Sequence, residues 1–299
     1  MVAMPSATSY RMCSYSTAAI VPALPVGGSR ATTPYAGDIG DASMTANADL
    51  QRRLEPWGEV EVEDEVSGLR NRVWTIRLRG ERCIARLGAR SAATLDWELD
   101  LLGTLHDHGF TVPLPIPTRS GERRVGGLVV FSFIEGREPE GRDDTERVGD
   151  EFRRLHALPG TWPQRPGFRT ARELLTTDVG GDVDMSLLPP EDAELCRDAW
   201  RALPEREATV IHGDPSPTNV RIDGDRVGLL DWDEARVDSP LLDLGALPDA
   251  EVAGLTEEAF QRARRASVAW EVAVCWQLED EYARRRLREL RDLSRELSP

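Results

Sequence analysis

Lysine is absent from the 299-residue chain, so its 37 basic residues are all arginine. Any task that usually falls to lysine, such as gripping a phosphate, must pass to arginine or go unfilled. Basic charge is also in deficit, because 52 acidic residues leave a formal net charge of −15. That sign repels a phosphate backbone, which argues against nucleic acid as a partner and suits a cationic small molecule. Cysteine is scarce: Cys13, Cys83, Cys196 and Cys275 lie far apart with no C-x-x-C pair. Such spacing implies no zinc and fits reduced thiols in a cytoplasmic protein. There is no apolar run long enough to span a bilayer, so no membrane partner is expected. Aromatics make up 6% of the chain and are scattered, without the interleaving that stacking on nucleobases requires. His106, His108 and His156 show no metal-ligand spacing and read as packing or surface residues.

What is present divides into three segments. Residues 1–45 are rich in Ser, Ala, Thr, Pro and Gly and read as a disordered extension. Its one apolar stretch, Ala18 to Val21, is cut by Pro22 and Pro25, which argues against export. Over 46–134 the pattern is β-β-β-α-β-β. Three alternating runs lie between Trp57 and Leu87, a helix follows from Ser91 to His106 with Gly109 as its stop, and two more strands are expected near Arg123–Val125 and Leu128–Ile134. Residues 135–299 turn helical, with helices expected near 145–156, 190–202 and 256–296. One hairpin interrupts them, its arms Asn219–Ile222 and Arg226–Leu230 joined by Asp223-Gly224-Asp225.

The hairpin carries the chemistry. A turn at 223–225 sets Asn219 opposite residues 229–230, beside Asp231. Directly opposed residues have Cβ atoms roughly 4.5–5.5 Å apart, close enough to share a metal ion. Mg²⁺ takes oxygen ligands, commonly one or two from protein and the rest from substrate phosphates, so Asn219 and Asp231 form a candidate Mg²⁺ pair. Asp214 lies in Asp214-Pro215-Ser216-Pro217-Thr218, where two prolines forbid a regular helix. A carboxylate so placed can take the proton of an attacking hydroxyl.

In the helix before it, Leu95, Glu98, Leu102 and Leu105 form one stripe. Glu98 on an apolar face needs a cation, and Arg86 in the preceding strand is the candidate. Asp233 and the acids Glu271, Glu279 and Asp280, with Trp270 and Trp276, are candidates for an amine-bearing acceptor; the plainer reading is a solvated face and a tryptophan core.

Three motifs stand in order: His212-Gly213-Asp214-Pro215-Ser216-Pro217-Thr218-Asn219, then Leu230-Asp231-Trp232-Asp233, then Pro240-Leu241-Leu242-Asp243-Leu244-Gly245. Together they resemble the aminoglycoside phosphotransferase and choline kinase superfamily, over about Val66 to Leu290. The resemblance implies an α+β, two-lobed protein-kinase-like fold, with a five-stranded antiparallel N-lobe bearing one helix, a hinge near 132–136 and a helical C-lobe. It implies an enzyme that moves the γ-phosphoryl group of ATP or GTP, with Mg²⁺, onto a hydroxyl of a small molecule.

Asp214 would be the catalytic base, Asn219 and Asp231 the metal ligands, Asp243 a buried brace and His212 a hydrogen-bonding support. Arg86 would replace the phosphate-binding lysine and pair with Glu98, Ser67 and Asn71 would lie in the nucleotide-covering turn, and Ser132 to Ile134 would receive the purine through backbone groups. Three functions remain open: a kinase for an aminoglycoside-like or other amine-bearing antibiotic, a metabolic kinase for an amino alcohol, homoserine or ketosamine, and a nucleotide-binding pseudokinase.

Overall fold

In the computed structural model the described residues are 49–296, save 68, 69 and 160. The extension expected over 1–45 lies outside them, as do Gly68 and Leu69 of the expected nucleotide-covering turn. The described chain forms two compact units, one holding residues up to Ala92 together with Pro113–Phe133, the other Ala93–Val112 and the chain from Ile134 on.

The first unit is an antiparallel sheet in the order β1 (Val60–Ser67), β2 (Arg72–Leu78), β3 (Glu81–Leu87) and β4 (Leu128–Ser132). Alternation sorts its two faces. Cys83 and Ala85 share one face with Val130 and Leu128, and pack with Trp57, Trp74 and Ile76 in the core. Ile84 and Arg86 lie on the other face with Phe131 and Val129.

The expected fifth strand near Arg123–Val125 is not there, and among the described residues the sheet has four strands. Val125 and Leu128 instead exchange both backbone hydrogen bonds around Gly126, which has φ +59°, so the chain turns back before a strand can extend. The other edge of β4 is met by the proline-rich segment, where Ser132 donates to Leu114 O and Ile116 donates to Val130 O. Pro115 has no N–H, so the contact alternates around it and stays a single bridge.

The second unit begins with α1 (Ala92–Asp107), which ends at Gly109 with φ +80°, then takes in α2 (Gly141–His156) and α3 (Pro190–Arg201). The expected C-terminal helical region divides into α6 (Glu257–Cys275) and α7 (Asp280–Glu296), after the short α4 (Leu241–Leu244) and α5 (Ala250–Ala253). Its core joins α3, α6 and α7, with Trp200 and Trp270 rings 5.9 Å apart. No helix among the described residues is long and apolar enough to cross a membrane.

Four strands of three or four residues position the site, besides a small ladder of β5 (Val179–Gly180) with β6 (Val183–Asp184). β7 (Thr209–Ile211) pairs with β10 (Arg236–Asp238), and β8 (Val220–Asp223) pairs with β9 (Arg226–Leu229). The loop from β7 to β8 and the loop from β9 to β10 therefore start and finish on the same two ladders. That topology alone lays residues 212–219 beside residues 230–235.

Candidate active site

In the first of these loops Ser216 caps a 3₁₀ turn, Pro217–Asn219, by accepting from Thr218 N–H at 3.3 Å. The turn aims Asn219 back at Asp214. Its Nδ2 donates to the Asp214 carbonyl at 3.1 Å and to Asp214 Oδ2 at 2.9 Å. Both side chains are buried, and Asp214 Oδ1 and Asn219 Oδ1 have no hydrogen-bond partner. Such orphaned buried oxygens are costly unless a ligand completes them.

The second loop begins as expected from the hairpin. Val220 pairs with Leu229, and Leu230 N–H donates to Asn219 O at 2.8 Å. Asp231 follows with φ +53°, a left-handed conformation that costs a non-glycine residue on the order of 1 kcal/mol or more and persists only when its surroundings impose it. Asp214 and Asp231 are near enough to act on each other. Burial, then the charges of Asp231, Glu271 and Glu234, hold the Asp214 carboxyl well above the usual carboxylate range, against the hydrogen bond from Asn219.

His212 ties the loops together. Its Nε2 lies 2.7 Å from Leu230 O, which has no proton to give, so Nε2 carries the hydrogen and Nδ1 is left to accept from Asp214 N–H at 3.3 Å. Burial holds its pKa below the ordinary imidazole value. The ring packs against Trp232, with centroids 4.6 Å apart, and edge-on against Phe152. A neutral ring with both nitrogens engaged braces the backbone.

Asp243, fully buried on α4, accepts from His212 N–H at 2.8 Å, Gly213 N–H at 2.9 Å and His156 Nε2 at 2.9 Å. Burial alone would raise its carboxyl, but the hydrogen bonds from His156 and Gly213 N–H are among the causes that outweigh it and hold the pKa low. Gly213 has φ +88°, and a Cβ there would sit 2.5 Å from Glu234 O. Glycine is required on both counts.

The other expected site residues are distributed as follows. Arg86 is buried, with its guanidinium 5.0 Å over the Phe131 ring. Asn71 is buried with its side-chain oxygen against Gly88. Ser67 closes β1, and its side chain lies outside the described residues. Ser132 Oγ accepts from Leu114 N–H at 2.9 Å, and half-buried Ile134 packs against Gly228. Glu98 accepts from Arg165 Nη2 at 2.8 Å. Asp233 is buried, its carboxylate within 4.8 Å of those of Asp182 and Glu234.

Glu271 is buried in an ion pair with Arg286 and accepts from Tyr282 OH, whereas Asp280 is exposed and pairs with Arg284 at 2.7 Å. Glu279 sits between α6 and α7. Trp276 donates to Leu187 O and Trp270 is core, so both tryptophans have structural tasks.

Sequence reasoning missed Arg165, Asp182, Glu234 and His156. The first two stand in stretches without periodicity, and His156 looked like the end of an amphipathic helix. Glu234 is the one with a signal, lying in the same acidic run as Asp231 and Asp233.

An antiparallel sheet in one unit and a mainly helical second unit are the element pattern of the protein-kinase-like fold. The chain belongs to the phosphotransferase enzyme family, whose model matches residues 65–296. It is 29% identical over 189 residues to a homoserine kinase of Gluconacetobacter diazotrophicus, a match covering 55% of this chain and 57% of that protein.

Among solved structures it is similar to an amicoumacin kinase in complex with AMP-PNP and Ca²⁺, with a TM-score of 0.60, 14% identity and coverage of 84% of this chain and 96% of the other. The choline kinase of Streptococcus pneumoniae gives a TM-score of 0.57 at 14% identity, covering 85% of this chain and 99% of the other. At these identities the likeness concerns the fold.

Proposed function

We propose that this chain transfers the γ-phosphoryl group of ATP or GTP, with Mg²⁺, to a hydroxyl of an amine-bearing small molecule. The observation that carries this reading is the pair of orphaned buried oxygens, Asp214 Oδ1 and Asn219 Oδ1, in the one loop between β7 and β8. Asn219 Oδ1 and Asp231 are the donor set a hard oxygen-seeking cation prefers, and would hold Mg²⁺. When bound, that ion offsets charge that develops on the transferred phosphoryl group. Asp214 Oδ1 would accept the proton of the acceptor hydroxyl, with Oδ2 held by Asn219. Arg86 is proposed as the phosphate ligand that stands in for lysine, within a nucleotide-binding segment at 46–134; the acceptor would be taken by the segment at 135–299.

The negative field around Asp214, from Asp231, Glu234 and Glu271, supports a cationic acceptor. An aminoglycoside-like antibiotic, and with it a role in resistance, is the leading candidate. The homoserine kinase likeness supports a second reading, a metabolic amino-alcohol kinase. A pseudokinase is disfavoured because Asp214, Asn219 and Asp231 are all retained. A cytoplasmic setting would supply the nucleotide.

The test is a radiolabelled-phosphate transfer screen over aminoglycosides, peptide antibiotics, homoserine, choline and other amino alcohols, with ATP and GTP. Mg²⁺-dependent labelling of an amine-bearing alcohol is expected, and Asp214→Ala should abolish it. Nucleotide and metal binding with no labelled product, or full turnover by Asp214→Ala, would overturn the proposal.

A further inference from the structure

We propose that Arg165 is a positioning residue for the metal site, fixing the main chain that follows Asp231 so that its carboxylate is presented to the cation. The inference rests on the assignment of Asp231 as a metal ligand made above. Arg165 lies far from the loop in sequence, and its side chain is completely buried. From Nη1 it donates to Trp232 O at 3.1 Å, Asp233 O at 2.9 Å and Ala235 O at 3.1 Å. Its Nη2 donates to Glu98 Oε2 at 2.8 Å. The plane sits between the rings of Trp97 and Phe168, 5.4 and 4.8 Å away.

Residues 230–235 are neither helix nor strand, so their carbonyls have no ladder to satisfy them. A single guanidinium takes three of the four carbonyls from Trp232 to Ala235, and the remaining one, Glu234 O, accepts from Arg236 Nη1 at 3.2 Å and faces Gly213. On the other side of Asp231, Leu230 is held by Asn219 O and by His212 Nε2. The left-handed Asp231 is thus bracketed, with the catalytic loop on one side and Arg165 on the other.

The planar fork holds the carbonyls with one terminal nitrogen and the carboxylate with the other, in fixed directions; an ammonium is a single point with no such separation. Glu98 neutralises the buried charge, so α1 is tied through one ion pair to the loop that carries the metal ligand. This assigns Glu98 a task in addition to the proposed pairing with Arg86: it aims the guanidinium.

The experiment measures Mn²⁺ binding in the presence of AMP-PNP by electron paramagnetic resonance, together with the Mg²⁺ dependence of turnover and thermal stability, in wild type, Arg165→Lys, Arg165→Ala, Glu98→Gln and Asp231→Ala. Arg165→Lys should weaken Mn²⁺ binding by about 10-fold to 100-fold, the range for residues that orient metal ligands. Its turnover should recover partly at saturating Mg²⁺. Guanidinium added at millimolar concentration should tighten the metal in Arg165→Ala and leave Arg165→Lys unmoved.

Glu98→Gln, which keeps an acceptor for Nη2, should shift metal binding in the same direction by less, and decides the matter if the Arg165 variants fail to fold. Wild-type Mn²⁺ affinity in Arg165→Lys or in Glu98→Gln, with lower thermal stability, would make the residue a structural strut and overturn the proposal. If Asp231→Ala itself bound Mn²⁺ normally, the metal assignment would fail instead.

Discussion

Asp214→Asn should make the metal-free protein more stable at neutral pH and inactive as a kinase. The structure sets the size of the gain. Asn219 Nδ2 donates to Oδ2 of Asp214, and an amide oxygen at that place keeps the bond. The amide nitrogen then falls where Oδ1 has no partner, so no existing hydrogen bond is lost. What disappears is a buried carboxylate facing Asp231, Glu271 and Glu234. The amide nitrogen is left as poorly partnered as Oδ1 was, so the gain is that of removing the buried charge, about 2 kcal/mol. For a chain of this size that corresponds to a Tm increase on the order of 4–8 °C.

The pH dependence follows from the direction of the shift. Because the folded carboxyl is raised above its unfolded value, its contribution to stability is fully present below the unfolded pKa and is lost as pH rises through the folded one. The advantage of Asn should therefore be near zero at acid pH and grow towards neutrality. Scanning fluorimetry in chelator at several pH values reads it directly, and a constant gain, or none at any pH, would refute the reasoning. Turnover should fall by roughly 10²-fold to 10⁴-fold, the usual worth of a general base.

Asp243→Asn must turn an amide nitrogen towards one of the donors His212 N–H, Gly213 N–H or His156 Nε2, all now within 2.9 Å of a carboxylate oxygen. Stability should drop by about 1–3 kcal/mol, and kcat should fall more than the acceptor KM rises, both measurable on one purified variant. Gly213→Ala combines a φ of +88° with a Cβ 2.5 Å from Glu234 O, so a stability loss of about 2 kcal/mol or more is expected in thermal melts, with turnover reduced because both loops must shift. Asp231→Ala should lose Mg²⁺-dependent nucleotide binding in calorimetry while keeping a wild-type circular dichroism spectrum.

The legible part of the site was local in sequence. Asn219 meets Leu230 because a turn of Gly224 and Asp225 forces that register, and the turn is written in its own residues. Asp243 was recognisable through a motif, yet its three donors come from α2 and from the catalytic loop, and nothing in a linear reading specifies them. Glu98 was identified as a buried acid in need of a cation. With 37 arginines to choose from, a linear reading offered Arg86 and gave no sign of Arg165, 67 positions away, which donates to Glu98 as well. The fifth strand was over-read because Arg123–Val125 has the composition of a strand, and the tight turn at Gly126 outweighs that preference.

A chain without lysine has a particular way of placing positive charge in its interior. A buried lysine can discharge when its carboxylate is lost; an arginine cannot, and it brings five donors that need acceptors. Arg165 is met by Glu98 and three carbonyls, Arg236 by Asp238 and the face of Trp270, and Arg286 by Glu271 and Glu289. Titration around the site therefore belongs to its acids: Asp214, Asp238 and Glu271 are raised, chiefly by burial, and Asp243 is lowered. Comparing the activity–pH profile of wild type with those of Asp238→Asn and Glu271→Gln would separate the carboxylate proposed as the base from the other two raised acids: the inflection owed to Asp214 should persist in both variants.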